Sequence, residues 1–259
     1  MPGEIAHDEE TLGVVPRDAG RTIRHRRLAD RPWMTPVERD RIRGTVSASA
    51  LRTPRVRFAH VLLFNSPVSG NCYKVRLLLA QLGLPYETVD VSVVDRSDRA
   101  ELLGDKNPAL RVPTLVLDDG RPLAESNAIL WYFGDGTQYV SVDHYERAQV
   151  LQWMFFEQYS HEPYVAVARF WKTYSGQPEQ FERQRERLLR GGYAALDALQ
   201  RHLDGLEFLV GDRYSIADVS LYAYTHVAHE GDFDLEPYPA IRAWLELVAA
   251  QPGHVAIDA

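Results

Sequence analysis

The chain has 259 residues, a formal net charge of −7 and 45% hydrophobic side chains, enough apolar material for one large domain or two small cores. Charge is uneven: residues 1–57 hold 12 Arg against 8 acidic side chains, and the remainder holds 17 basic against 28 acidic, so the body of the protein is acidic and unsuited to gripping a phosphate backbone. The single cysteine excludes an intramolecular disulfide and a multi-cysteine zinc site.

No stretch reaches the ~18 apolar residues of a membrane helix, and the N-terminus lacks the basic and then apolar order of a signal peptide. The expectation is a cytoplasmic protein with no membrane and no nucleic-acid partner.

Residues 1–57 have few large apolar side chains and no sustained period, and read as a flexible extension outside the main fold. TPVERDR allows a short helix over 36–43, with a threonine cap and a first-turn proline. A basic anchoring arm is the functional alternative, and a start codon assigned upstream of Met34 the plainer one.

From His60 the texture changes. HVLLFN suits a buried strand, and 72–82 places Val75, Leu78, Leu79 and Leu82 on one helical face before Gly83 and Pro85 stop it. YETVDVSV reads as a second strand and 96–103 as a short helix, after which Asn107-Pro108 breaks the chain. RVPTLVL starts a third strand, Asp119-Gly120 turns it, RPLA returns as a fourth, and 125–133 closes with a helix. The predicted order over 58–135 is β-α-β-α-β-β-α.

GDGTQYVSVD is a plausible linker, and 143–259 is predicted to be all helical. A long stretch over 144–174 is rich in aromatics and interrupted by Pro163, which bends or splits it. Further helices follow over 179–203, from Ile216, and over 239–250. Ser215 and Asp218 have the Ser-x-x-acid spacing of a capping box and read as structural.

Four phrases in this arrangement, SPVSGNCYKVR, NPALRVPTL, LAESNAILWYF and SIADVSLYAY, resemble in order and spacing the cytosolic glutathione S-transferase family, of the bacterial serine type. The resemblance covers 60 to about 250 and implies a thioredoxin-like glutathione-binding domain followed by a helical domain. It implies a homodimer, and an enzyme that needs no cofactor and no metal, with glutathione as cosubstrate, adding the glutathione thiolate to small, mostly apolar electrophiles in detoxification. Alternatives are a glutathione-dependent disulfide reductase, an isomerase of the maleylacetoacetate kind, and a non-catalytic interaction protein that keeps the fold.

Site residues follow from the same phrases. A proline that opens a strand cannot donate a ladder hydrogen bond, so Pro113 belongs at a strand's first residue or edge. The family uses a cis bond at this place, which here implies that Val112 and Pro113 offer backbone to the cysteinyl part of glutathione. Glu125 and Ser126 stand where a strand ends and a helix begins; Ser126 is a cap, and its free backbone donors suit a carboxylate while Glu125 suits an ammonium. Arg111 can pair with the glycyl carboxylate, or stand solvated.

Alignment through YKVR puts Ser69, not Cys72, on the residue that donates a hydrogen bond to the glutathione sulfur, with Asn71 assisting. A plain N-cap is the structural alternative for Ser69, and Cys72 reads as packing. Tyr159, His161 and Tyr164 are candidates for the electrophile pocket, against the alternative that aromatics at helical spacing pack a core.

Overall fold

The computed structural model of the chain describes residues 61–259; the expected extension over 1–57 and the helix over 36–43 lie outside the described residues. Strand β1 (Leu62–Asn65) is central and nearly all buried. Helix α1 (Gly70–Gln81) carries the chain over to β2 (Glu87–Asp90), which pairs parallel with β1. After α2 (Arg99–Leu103), β3 (Thr114–Val116) runs antiparallel to β1, β4 (Pro122–Ala124) runs antiparallel to β3, and α3 (Ser126–Gly134) follows. The sheet order is β2-β1-β3-β4, a mixed sheet whose edge takes Pro122 without loss of an interior ladder bond.

Both β2 and α2 are shorter than the sequence suggests. Ser92 Oγ accepts from the backbone N–H of Val94 (3.2 Å) and Asp95 (3.0 Å), and Asp95 Oδ1 accepts from Ser97 N (3.0 Å), so a local turn ends the strand and delays the helix to Arg99.

The second half is helical: α4 (His144–Phe156), α5 (Glu162–Arg169), α6 (Pro178–Leu203), α7 (Ile216–Thr225) and α8 (Pro239–Ala249). Asp143 caps α4 by accepting from Tyr145 N (2.9 Å) and Glu146 N (3.0 Å). The helical path does not break at Pro163. Its ring would meet the carbonyl one turn back, and the backbone widens instead into a π turn over Glu157–His161, closed by Glu162 N donating to Glu157 O. A second π turn, Phe170–Tyr174, follows α5.

The capping box forms as expected. Asp218, fully buried, accepts from Ser215 N (2.8 Å), Leu209 N (3.0 Å) and Trp244 Nε1 (3.0 Å), which ties α7 to α8.

One large core runs through both halves, and α1 lies in its middle, with every side chain from Cys72 to Leu79 buried, Lys74 and Arg76 included. Arg76 donates to Asn65 Oδ1 (2.8 Å), to Pro67 O (3.2 Å) and to Ile257 O, and so joins the loop before α1 to the C-terminal segment. Among the described residues no helix is long and apolar enough to cross a membrane.

Candidate functional site

Ser69 is the N-cap of α1, in extended geometry, and its Oγ accepts from Cys72 N–H at 3.3 Å. Accepting that bond uses a lone pair and leaves the hydroxyl proton to donate elsewhere, so capping and ligand contact are compatible. Gly70 has a steric reason to be glycine: a Cβ there would lie 2.5 Å from the Tyr224 ring. Tyr224, on α7, presses against the helix mouth, and its hydroxyl accepts from Asn71 N–H at 3.3 Å. Cys72 is fully buried, its sulfur accepts from Ser66 N–H at 3.3 Å, and burial pushes the thiol up to about 11 against the opposing hydrogen bond with Ser69. That is a packing residue.

Beside the helix mouth lies a small cleft of about 50 Å³, lined by Asn71, Asn107, Arg111, Val112, Pro113, Glu125, Ser126, Gln158 and Glu162. Six of the residues predicted from sequence thus converge, and Ser69 stands next to them at the mouth of the same helix. The Val112–Pro113 bond is cis. Asn107 holds the turn that carries it: its Nδ2 donates to Arg111 O (2.9 Å) and Thr114 Oγ1 (3.0 Å), and its Oδ1 accepts from Ala109 N (2.9 Å). Glu125 has a φ of 69°, a region costly for any residue but glycine, and is exposed, whereas Ser126, the first residue of α3, is buried.

The polar groups in the cleft are wired together. Ser126 Oγ donates to Asn71 Oδ1 at 3.0 Å, Asn71 Nδ2 donates to Glu162 Oε1 at 2.9 Å, and Gln158 donates to the other oxygen of Glu162.

A larger cavity of about 470 Å³ starts at Pro67 and Val68, immediately before Ser69, and is walled by Tyr73, Arg169, Tyr174, Tyr222, His226, Glu230, His254 and the chain to Asp258. Each nitrogen of the Arg169 guanidinium donates once, to Glu230 Oε2 (2.9 Å), Val68 O (2.5 Å) and Tyr174 Oη (2.8 Å), and so fixes the loop that leads into Ser69. His226 stacks on Tyr222 with ring centroids 4.5 Å apart, and burial pushes its imidazole down to about 4, so it is neutral at ordinary pH. Tyr73 Oη donates to Val255 O at 2.7 Å and holds the C-terminal segment on α1.

None of the three aromatic candidates for an electrophile pocket lines either cavity. Tyr159 is 85% exposed on the outside of the π turn. His161 is fully buried, its Nε2 lies 3.1 Å from Thr225 Oγ1, and burial pushes it down to about 3. Tyr164 covers Gly191, where a Cβ would come within 2.3 Å of its ring. The rings that do wall the large cavity, Tyr73, Tyr174, Tyr222, His226 and His254, carry no sequence signal, because helical spacing alone does not say which face is lined by solvent.

The family profile described as glutathione S-transferase, N-terminal domain, matches residues 63–136, and that of the glutathione S-transferase C-terminal domain matches residues 153–252. The chain belongs to the glutathione S-transferase family. Among solved structures, a glutathione S-transferase from Pseudomonas fluorescens Pf-5 is 49% identical with a TM-score of 0.73, over 76% of this chain and 98% of that one. A glutathione transferase family member from Pseudomonas fluorescens Pf-5 with two glutathione bound is 26% identical with a TM-score of 0.66, over 77% of this chain and 92% of that one. The disulfide-bond oxidoreductase YfcG of Escherichia coli K12 is 28% identical over 195 residues, 70% of this chain and 87% of the relative. The thioredoxin-like first half with its helical second half is this family's fold.

Proposed function

We propose that this family member binds glutathione in the small cleft and presents its sulfur, as the thiolate, to a small apolar electrophile in the large cavity. The observation that carries the reading is Ser69: a capping serine at the mouth of α1, beside the cleft that gathers Asn71, Val112, Glu125 and Ser126.

In this reading Glu125 takes the ammonium of the γ-glutamyl group, Ser126 and the first turn of α3 take its carboxylate, the Val112 backbone pairs with the cysteinyl part, and Arg111 meets the glycyl carboxylate. Ser69 donates to the sulfur and Asn71 Nδ2 assists. Neither is a base or a nucleophile; they stabilise an anion that the helix dipole also favours. A thiol near pKa 8.5 needs a shift of about 2 units, or about 2.7 kcal/mol, to be mostly ionised at neutral pH. One charge-assisted hydrogen bond of about 1.5–3 kcal/mol, with the dipole, is of that size.

The thiolate then attacks the electrophile and, for an aryl halide, halide leaves as the thioether forms. The aromatic walls of the large cavity and its start at Pro67 and Val68 suit a flat apolar molecule next to that sulfur. No cofactor is required. Titration calorimetry with glutathione and an S-alkyl conjugate tests the reading: both bind, and binding of neither at about 10 mM would end it.

A second reading is favoured by the name of one relative, a disulfide-bond oxidoreductase. The buried Cys72 is a poor redox group here, so both reducing equivalents would come from glutathione thiols. Turnover of a small dialkyl disulfide with none of an aryl halide selects this reading over conjugation.

For assembly we propose a homodimer that buries Tyr145 and Phe155 of α4 and Tyr159 of the π turn after it, large side chains left exposed.

A further inference from the structure

Beneath the cleft is an ion pair that the chemistry above does not use. Lys74, on α1, and Glu157, at the start of the first π turn, are both fully buried, with Nζ 2.7 Å from Oε2. Glu157 Oε2 also accepts from Asn127 Nδ2 (3.2 Å) and Ser220 Oγ (3.3 Å), whereas its Oε1 has no partner. Burial pushes the Glu157 carboxyl upward and the Lys74 charge opposes it. Such a pair is a poor device for stability alone, because an apolar pair of similar volume usually serves a core as well or better.

The ammonium also donates to Ser126 Oγ at 3.5 Å and lies 5.9 Å from the centre of the Tyr224 ring. An ammonium only donates, so the Ser126 oxygen turns a lone pair toward it and its proton away, onto Asn71 Oδ1 at 3.0 Å. With its oxygen so engaged, Asn71 directs Nδ2 to Glu162 Oε1 at 2.9 Å, a group that only accepts when ionised. The donors therefore run one way, Lys74 to Ser126 to Asn71 to Glu162, and the chain cannot reverse while a cation stands at one end and a carboxylate at the other. Glu157 is the first residue of the π turn that precedes Pro163.

We propose that Lys74 is a positioning residue for the glutathione cleft: anchored by Glu157, it fixes the direction of the Ser126 hydroxyl and, through it, the orientation of the Asn71 amide. The inference rests on the glutathione reading. Glu162 keeps Asn71 Nδ2 turned toward it, and the cation keeps the Ser126 hydroxyl on Asn71 Oδ1, so that the second Nδ2 hydrogen stays available to sulfur; without the cation that hydroxyl is free to rotate off Asn71 and the amide loses its support.

The test is a double-mutant cycle in the full chain, with glutathione affinity measured by calorimetry. One arm is Lys74→Met with Glu157→Leu, which removes both charges so that neither is stranded in the core. The other is Ser126→Ala. We expect each arm to weaken glutathione binding by about ten-fold and the combination to be within about two-fold of Ser126→Ala alone, since Lys74 acts through Ser126. The KM for glutathione should rise in step while that for an aryl halide stays within about two-fold, a split that general damage to the fold does not produce. Lys74→Met alone, in which Glu157 can take up a proton, repeats the cycle should the paired variant fold poorly. Losses that multiply independently, or a paired variant that binds as the parent does, overturn the positioning role and leave the glutathione reading standing. A parent that does not bind glutathione overturns both.

Discussion

Replacing Ser69 with Ala separates its two roles. The hydroxyl caps α1 through Cys72 N at 3.3 Å, so its loss should cost about 1 kcal/mol of stability, read from a denaturant midpoint. The proton it offers a bound thiolate is a charge-assisted bond of about 1.5–3 kcal/mol, and removing it raises the thiol pKa by about 1–2 units. A hydrogen bond to the anion lowers the pKa, so its removal moves the rising limb of kcat/KM to higher pH. On that limb, turnover of an aryl halide should fall by about ten-fold, the loss of thiolate being offset in part by the greater nucleophilicity of a more basic sulfur. Ser69→Asp should restore the cap, because Asp is a good N-cap acceptor, yet raise the thiol pKa further through its charge. If Asn71 shares the work, only the double variant with Asn71→Ala loses the thiolate absorbance near neutral pH. Cys72→Ser should change turnover little, since the thiol is buried. An unshifted pH profile in Ser69→Ala, or an inactive Cys72→Ser together with a glutathione mixed disulfide on the parent, would refute this reasoning.

Glutathione at about 100 times its dissociation constant should stabilise the protein by about 2.7 kcal/mol, and Glu125→Ala with Ser126→Ala should abolish that thermal shift. His161 is buried with its pKa pushed down to about 3 from 6.5, so between those values the unfolded chain binds a proton that the folded one does not. Stability should therefore fall as pH drops below about 6.5, by up to about 1.4 kcal/mol per unit for this residue, and urea unfolding of His161→Gln, which removes the titrating group, should show a shallower slope. Phe155→Glu with Tyr159→Glu should convert a dimer into monomers in sedimentation without lowering the melting temperature of the protomer, as both side chains are exposed. Deleting residues 1–57 should leave glutathione affinity unchanged within about two-fold, because among the described residues those lining the cleft fall between Asn71 and Glu162.

The local parts of the site were legible in the sequence, because each is governed by near neighbours. A serine directly before a helix that opens on buried residues gives the cap, and Glu-Ser at a strand-to-helix junction gives the free donors, whereas the cis bond at Val112–Pro113 follows only from the family resemblance. What escaped depends on distant elements. Tyr224 reaches the mouth of α1 from 153 residues away, and nothing near Lys74 in sequence points to its buried partner Glu157. The π turn was hidden because Pro163 signals an obstruction in a helix and does not say that the helix widens ahead of it. Tyr159 and His161 are two places apart on a helical path and so point to opposite sides, one outward and the other into the core.

The account stands most directly on the ionisation of glutathione bound to the unmodified protein. An ultraviolet difference titration of that complex measures it without a second substrate. A thiol that is half ionised about 2 units below its free value near 8.5 is the predicted result. A bound thiol that titrates at or above the free value would contradict the claim that the Ser69 hydroxyl and the mouth of α1 hold a thiolate.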